Sequence, residues 1–260
     1  MSAPYLHVSG INKRFGGLQA LNDCSFTIRE GAITCLVGPN GAGKTTIFNA
    51  ITGFLRPDSG QVEFRGRRIS GLSPQTIVAA GIARSFQNLR LFAEISALDN
   101  VLVGMRGQFG EEPLSALFRP LKTAHAQAAR RITGREILDQ VGLLAQADTL
   151  VRNLSYGEQK LLTIARLLAT KADLLLLDEP ASGLSAGALA ALMALLRRLQ
   201  SAGKTLLVVE HNTRVVQQIA DDVLFLHQGH LMAQGTPEAI MADPALAEIY
   251  FGGALQDHGP

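Results

Sequence analysis

An α/β fold is predicted for this chain, with a parallel sheet in its core, an antiparallel β portion near the N-terminus and an inserted helical subdomain. Three observations predict it. Residues 5–8, 24–28 and 34–37 are short apolar or β-branched runs punctuated by Gly-containing turns, which is the pattern of a β-rich start. After Val37 a glycine-rich loop leads into TTIFNAITGF, an apolar pattern of helical length, so strand, loop and helix follow one another. Later, residues 174–177 and 205–209 are continuous apolar runs suited to parallel strands buried on both faces, with a helical stretch at 187–200 between them.

The middle of the chain differs. From about residue 89 to residue 155 there is no strong strand run, and AHAQAARRITGREILDQVGLL places Ile132, Leu138 and Val141 at helical spacing. Near the end, VLFLHQGHLMAQG reads as two strands around residues 227–230, followed by a short helix from Pro237 and a mobile tail, LQDHGP. The expected organisation is a core of residues 1–88 and 156–235 that includes the antiparallel portion, a helical subdomain at 89–155, and a C-terminal helix and tail at 236–260.

Composition bounds the function. The 260 residues can bury a sizeable core, and 47% apolar with 18% charged residues is a globular balance. A formal charge of +2 is too small for a nucleic-acid binder. The mild excess of Arg119, Lys122, Arg130 and Arg131 over Glu111 and Glu112 reads as a solvated face rather than a lipid contact. Cys24 and Cys35 have neither zinc-site nor redox spacing and are expected as buried, reduced thiols, consistent with cytosol. The most apolar helical stretch, 188–196, is far short of the ~20 residues of a membrane helix, and MSAPYLHVSG has no signal core. A membrane role therefore requires separate membrane chains.

The sharpest motif is GPNGAGKT, from Gly38 through Pro39, Asn40, Gly41, Ala42, Gly43 and Lys44 to Thr45, with Thr46 following. It fits G-x-x-x-x-G-K-[ST] between a strand and a helix, the context a phosphate-binding loop requires. The glycines let backbone N–H groups curl around phosphates, the helix N-terminus adds a favourable dipole, Lys44 reaches the β and γ phosphates of ATP, and the Thr45 hydroxyl can ligate Mg²⁺. A Gly-rich turn with a capping Thr is the structural alternative, and four fixed positions in the right context argue against it. In LLLLDE, Asp178 and Glu179 stand where an apolar strand ends, as ligands do in open parallel sheets. Asp178 is a Mg²⁺ partner, direct or through water, and Glu179 a general base for the attacking water. Taken alone, such an acid pair is more often an exposed turn, and the upstream phosphate loop reverses that. In LSYGEQ, Ser155 and Glu158 satisfy a capping box, which is a sufficient structural account, yet the same helix N-terminus is ready for an anion.

GPNGAGKTT, LSYGEQ, LLLLDEP and VVEH, in this order over essentially the whole chain, resemble the ATP-binding cassette (ABC) family, whose signature LSGGQ is close to LSYGEQ. The resemblance implies a P-loop NTPase core with the ABC ATPase fold. It implies that Ser155, Tyr156, Gly157 and Glu158 of one subunit close over ATP held by the phosphate loop of another, so that a complete site needs two cassettes. It places Phe15 as the adenine-stacking aromatic, and Gln87 in RSFQN as the glutamine that senses Mg²⁺ and water. With Thr45 and Asp178, Gln87 makes up the implied metal set. His211 takes the place of the switch histidine at the γ-phosphate. Taken alone, Phe15 reads as well as a core residue, and His211 as a capping or surface residue.

The stretches RSFQNLRLFAEISALDNVLVG, LSYGEQ with GLSAG, and QGTPEAIMADPALAEIYFG are similar to the LivG-like ATPases of branched-chain amino acid importers. Two departures stand out. Ser185 and Ala186 follow Gly183-Leu184 where Asp or Asn and then Pro are usual, and Asn212 follows His211 where Asp is usual.

The resemblance therefore implies an ATPase that energises an importer from the cytoplasmic face of the cell membrane. Its partners would be integral membrane permease subunits, a second ABC ATPase of identical or paralogous sequence and, indirectly, a periplasmic or extracellular substrate-binding protein, with no nucleic acid. The cargo would be branched-chain amino acids, with urea, amides or other amino acids as the alternative. Residues 89–94 are the expected docking surface for the permease. A non-transport cassette of translation or DNA repair would carry two cassettes or a long coiled-coil insertion, and a small-molecule kinase would leave LSYGEQ and His211 without a role.

Overall fold

The computed structural model describes residues 5–86, 89–105, 120–246 and 249. They fall into two compact units.

The first unit comprises Met1–Arg84, Asp173–Ser182 and Leu196–Pro260 and holds two sheets. β1 (Leu6–Phe15) and β2 (Leu18–Ile28) form an antiparallel hairpin, so the runs at 5–8 and 24–28 prove to be the buried ends of longer strands. β4 (Ser59–Phe64) pairs with β1, and β5 (Arg67–Arg68) pairs with β4, giving the order β2-β1-β4-β5. No apolar run announces β4, because SGQVEF buries only Val62 and Phe64 and leaves the alternate residues polar.

The second sheet contains β3 (Ile33–Val37), β6 (Ile82–Arg84), β7 (Leu174–Asp178), β8 (Thr205–Val209), β9 (Asp222–His227) and β10 (His230–Gly235). Its order is β10-β9-β3-β8-β7-β6, parallel throughout except for β10 on β9. Every residue of β3, β7 and β8 is buried, which is why each reads as a run of apolar or β-branched residues without polar alternation, Asp178 at the end of β7 apart. Ile47, Phe48 and Ile51 of α1 (Lys44–Ile51) join Leu6, Phe26, Val62, Leu176, Leu207 and Leu224 of both sheets in one apolar cluster. The unit also carries α2 (Pro74–Ala80), α7 (Thr213–Ile219) and α8 (Pro237–Met241), the last starting where the sequence predicts. Cys24 and Cys35 are buried and free, and burial pushes the Cys24 thiol up to about 12, so it stays protonated.

The second unit comprises Ser85–Ala172 and Gly183–Leu195. α3 (Ala97–Gly104) packs against α4 (Pro120–Gln140) and α5 (Tyr156–Ala169). The helices approach closely because Gly104 and Gly134 stand where a Cβ would come within 2.8 Å of the Arg166 carbonyl oxygen and 2.6 Å of Leu98 Cδ1. The predicted helical segment 89–155 lies within this unit, which extends further. α5 and the start of α6 (Ala186–Ser201), assigned above to the core from chain order, group here because α5 packs on α3. The tail LQDHGP lies outside the described residues.

In the second sheet β3, β8, β7 and β6 lie side by side, about 4.8 Å apart per step. Leu36, Val209 and Asp178 are in register across β3, β8 and β7, so the residues after them leave the sheet at one edge. Glu210, fully buried directly after β8, ties two of these exits together. Its Oε1 accepts the Ala181 N–H at 2.9 Å, and its Oε2 has no hydrogen-bond partner among the described residues. Burial raises its carboxyl above the usual value, opposed by that N–H and by His211.

A carboxyl raised in the fold stabilises fully below its unfolded value of about 4.5 and loses that contribution as pH rises through the folded value. Glu210→Gln should remove this slope, so thermal melts from pH 5 to pH 8 should show the variant gaining on the wild type as pH rises. Glu210→Ala, which also strips the buried Ala181 N–H of its acceptor, should cost about 1–3 kcal/mol by denaturant unfolding.

Candidate functional site

The loop between β3 and α1 is shaped by glycines. Gly38, Gly41 and Gly43 have φ of 146°, 78° and 105°, in the region that L side chains avoid. A Cβ on Gly38 would also overlap the Leu226 carbonyl, and one on Gly43 would come within 2.7 Å of the Ala20 oxygen. Gly43 caps α1 without a side-chain hydrogen bond, so no side-chain cap competes for the N–H groups of its first turn. Within the loop the Ala42 N–H donates to Pro39 O at 3.2 Å, and Asn40 and Gly41 are exposed. Lys44 Nζ donates to the Gly38 and Pro39 carbonyls at 2.7 and 2.9 Å, which holds the ammonium across the loop. Burial lowers its pKa, with Glu179 and Asp178 opposing. Thr45 is exposed in the first turn of α1, and Thr46 behind it is half-buried.

Asp178 ends β7 two strands away, and Glu179 follows it. Asp178 is buried and paired with Arg84 at 2.9 Å. Glu179 adopts φ +47°, a conformation that costs a non-glycine residue about 1–3 kcal/mol, and it is held there by its N–H bond to Val209 O at 3.0 Å. His211, following Glu210, places Nδ1 4.0 Å from Glu179 Oε1, with 61% of its side chain exposed against 23% for Glu179. Both side chains are therefore accessible to a ligand. Asn212 caps α7, its Oδ1 accepting the Arg214 and Val215 N–H groups, so the departure from Asp keeps an N-cap acceptor.

Phe15 ends β1 with half its surface exposed and Lys13 Nζ 5.7 Å from its ring centroid. That excludes the core reading and leaves a platform on which a base can stack. Gln87 lies outside the described residues.

In the second unit Ser155 caps α5. Its Oγ accepts the Glu158 N–H at 3.3 Å, and Glu158 Oε2 accepts the Ser155 N–H at 2.8 Å, so both halves of the capping box form. Tyr156 is exposed beside Gly183, where a Cβ would stand 3.0 Å from its ring, and Gly157 faces Ala188. Ser155, Tyr156, Gly157 and Glu158 all remain partly or wholly accessible. The unusual Ser185 starts α6, its carbonyl accepting the Leu189 N–H at 2.9 Å.

Arg84 and Glu210 are the site neighbours to which the sequence reading assigned no role. The available signal was a charged residue at the end of an apolar strand, Arg84 opening RSFQN and Glu210 standing before His211 in VVEH.

The sequence model of the family described as ABC transporter matches residues 21–182. The chain is 40% identical over 255 residues to the "High-affinity branched-chain amino acid transport ATP-binding protein LivG" of Salmonella typhimurium, covering 98% of this chain and 100% of that one. A nucleotide-free ATP-binding cassette from an ABC transporter superposes with a TM-score of 0.83 at 31% identity, over 95% of this chain and 99% of that one. A dimeric cassette in a post-hydrolysis state, bound to ADP and Pi, superposes with a TM-score of 0.73 at 26% identity, over 89% and 98%. With the glycine-shaped loop, the Asp178–Glu179 strand end and the capped LSYGEQ helix in the expected order, this chain belongs to the ABC transporter family.

Proposed function

We propose that the chain is the ATP-binding and hydrolysing subunit that energises an importer of branched-chain amino acids. The observation that carries the chemistry is the gathering of Lys44, Asp178, Glu179 and His211 at the exits of β3, β7 and β8. Phe15 stacks the adenine, backbone N–H groups of residues 40–46 surround the phosphates, and Lys44 neutralises the β and γ oxygens. Glu179, exposed enough to reach a water and preset by its backbone, takes the proton as that water attacks the γ-phosphorus and the bond to the β–γ bridging oxygen breaks to release ADP, and His211 holds the γ-phosphate.

The donors present suit Mg²⁺, a hard ion that prefers oxygen ligands and keeps phosphates and waters around one or two carboxylates. The Thr45 hydroxyl and the Asp178 carboxylate would hold it, with Gln87 as the third member of the set. Bound Mg²⁺ supplies positive charge against the developing phosphate charge.

Ser155, Tyr156, Gly157 and Glu158 act in trans on the nucleotide of a second cassette, supported by their accessibility and by the dimeric form of the related cassette. Closing and reopening of the pair is the two-state element that drives a permease. No helix among the described residues is long and apolar enough to cross a membrane. The likeness to LivG supports a chain that works at the membrane surface with separate permease subunits. Residues 89–94 are the docking surface. The Phe92 backbone N–H and carbonyl are both tied, at 3.0 Å, to the side chain of the fully buried Asn100, and its ring is half exposed. The LivG likeness supports the cargo.

Glu179→Gln should retain nucleotide binding and lower ATPase kcat by about 10²–10⁴. Cells relying on that variant should lose uptake of labelled leucine; loss of urea or amide uptake with intact leucine uptake would replace the cargo, and no uptake defect would overturn the transport reading. Phe15→Ala should weaken ATP binding by about 1–3 kcal/mol in a fluorescence titration, the value of one base stacked on an aromatic ring. Leu91→Asp with Phe92→Asp should reduce co-purification with the permease while sparing ATP binding.

A further inference from the structure

We propose that Arg84 is a positioning residue for the magnesium-bearing side of the site, fixing the Asp178 carboxylate to the helix that carries Lys44 and Thr45. The inference rests on the reading of Asp178 as the metal-side carboxylate.

Arg84 ends β6, and its side chain is only 5% exposed. Its guanidinium meets Asp178, Asn49 and Phe48 in one place. Nη2 donates to Asp178 Oδ2 at 2.9 Å, Nη1 donates to Asn49 Oδ1 at 2.5 Å, and the guanidinium carbon lies 5.2 Å from the centroid of Phe48. Asn49 and Phe48 belong to α1, the helix that begins at Lys44. One planar group therefore spans from the phosphate-loop helix to the acidic end of β7.

A stabilising role alone is a poor account of this arrangement, because a buried ion pair seldom outperforms well-packed apolar side chains. What the pair adds is orientation: a carboxylate held at one oxygen no longer turns freely, and the fork geometry of arginine ties that oxygen to Asn49 through a second nitrogen. A lysine, with one compact ammonium, would satisfy one end less rigidly. Partners that orient a ligating carboxylate typically change metal affinity 10- to 100-fold when removed. Two influences on Mg²⁺ then have opposite signs. If Arg84 acts by orientation, its loss weakens Mg²⁺ binding; if it acts only as a nearby positive charge, its loss strengthens it.

The test titrates Mg²⁺ into the full-length chain with a fluorescent ATP analogue whose β–γ bridge is NH, reading nucleotide binding with no turnover. Arg84→Gln should raise the half-saturating Mg²⁺ concentration about tenfold or more while leaving Mg²⁺-free nucleotide affinity unchanged. Arg84→Lys should raise it less, a partial rescue. Combined with Asp178→Asn, Arg84→Gln should add nothing further, since the carboxylate it orients is gone. An unchanged or lower half-saturation in folded Arg84→Gln overturns the proposal. If that variant does not fold, Arg84→Lys decides, a rise of about threefold supporting orientation and no rise refuting it. Asp178→Asn separates the two failures: if it alone leaves the Mg²⁺ dependence intact, the metal reading of Asp178 falls and the proposal with it. If it abolishes that dependence and Arg84→Gln does not alter it, only the role of Arg84 falls.

Discussion

The parallel pairing of β3, β8, β7 and β6 is the constraint on which the site depends. Because all four strands run the same way and are held in register, their C-terminal ends lie along one edge of the sheet. Each delivers a different group there: the phosphate loop from β3, Glu210 and His211 from β8, Asp178 and Glu179 from β7, and Arg84 from β6. Residues more than a hundred positions apart in the chain thus become neighbours at sheet spacing. Apart from the buried Thr34 of β3, the interiors of β3, β7 and β8 are apolar, so the charged groups are confined to the exits, where the sheet ends and a ligand can enter.

At those exits the fold accepts local costs that pure stability would avoid. Glu179 has a positive φ, Glu210 is a buried carboxyl with one unpartnered oxygen, and Arg84 and Asp178 form an ion pair removed from water. Each cost fixes something. The Glu179 backbone is pinned by Val209 O, the Ala181 N–H by Glu210, and the Asp178 carboxylate by Arg84. The apolar cluster shared by both sheets and α1 holds the framework within which such strain persists.

The two places where the sequence departs from the family pattern keep local structure intact. Asn212 still caps α7, since a side-chain amide oxygen accepts the same N–H groups that a carboxylate would, and Ser185 starts α6 through its carbonyl. The capping box at Ser155 is likewise complete without any ligand, so the signature helix has a structural reason for its residues alongside its proposed role in trans.

The phosphate loop, the buried strands and the capped helix were legible in the sequence because each is encoded locally: glycines for positive φ, unbroken apolar runs for two-sided burial, and Ser-x-x-Glu for a helix start. β4, β5 and the three-residue β6 were not, because their residues are polar or few and only pairing, of β4 with β1, β5 with β4 and β6 with β7, makes them strands. The grouping of α5 with α3 likewise follows from packing rather than chain order. The same division holds within the site. Sequence named Lys44, Asp178, Glu179 and His211, whose spacing to glycines or strand ends is a short-range signal. Arg84 and Glu210 acquired their significance only when the sheet brought β6 beside β7 and β8 beside both β7 and β3, since a buried charge is defined by the partner it meets and that partner lies far away in the chain.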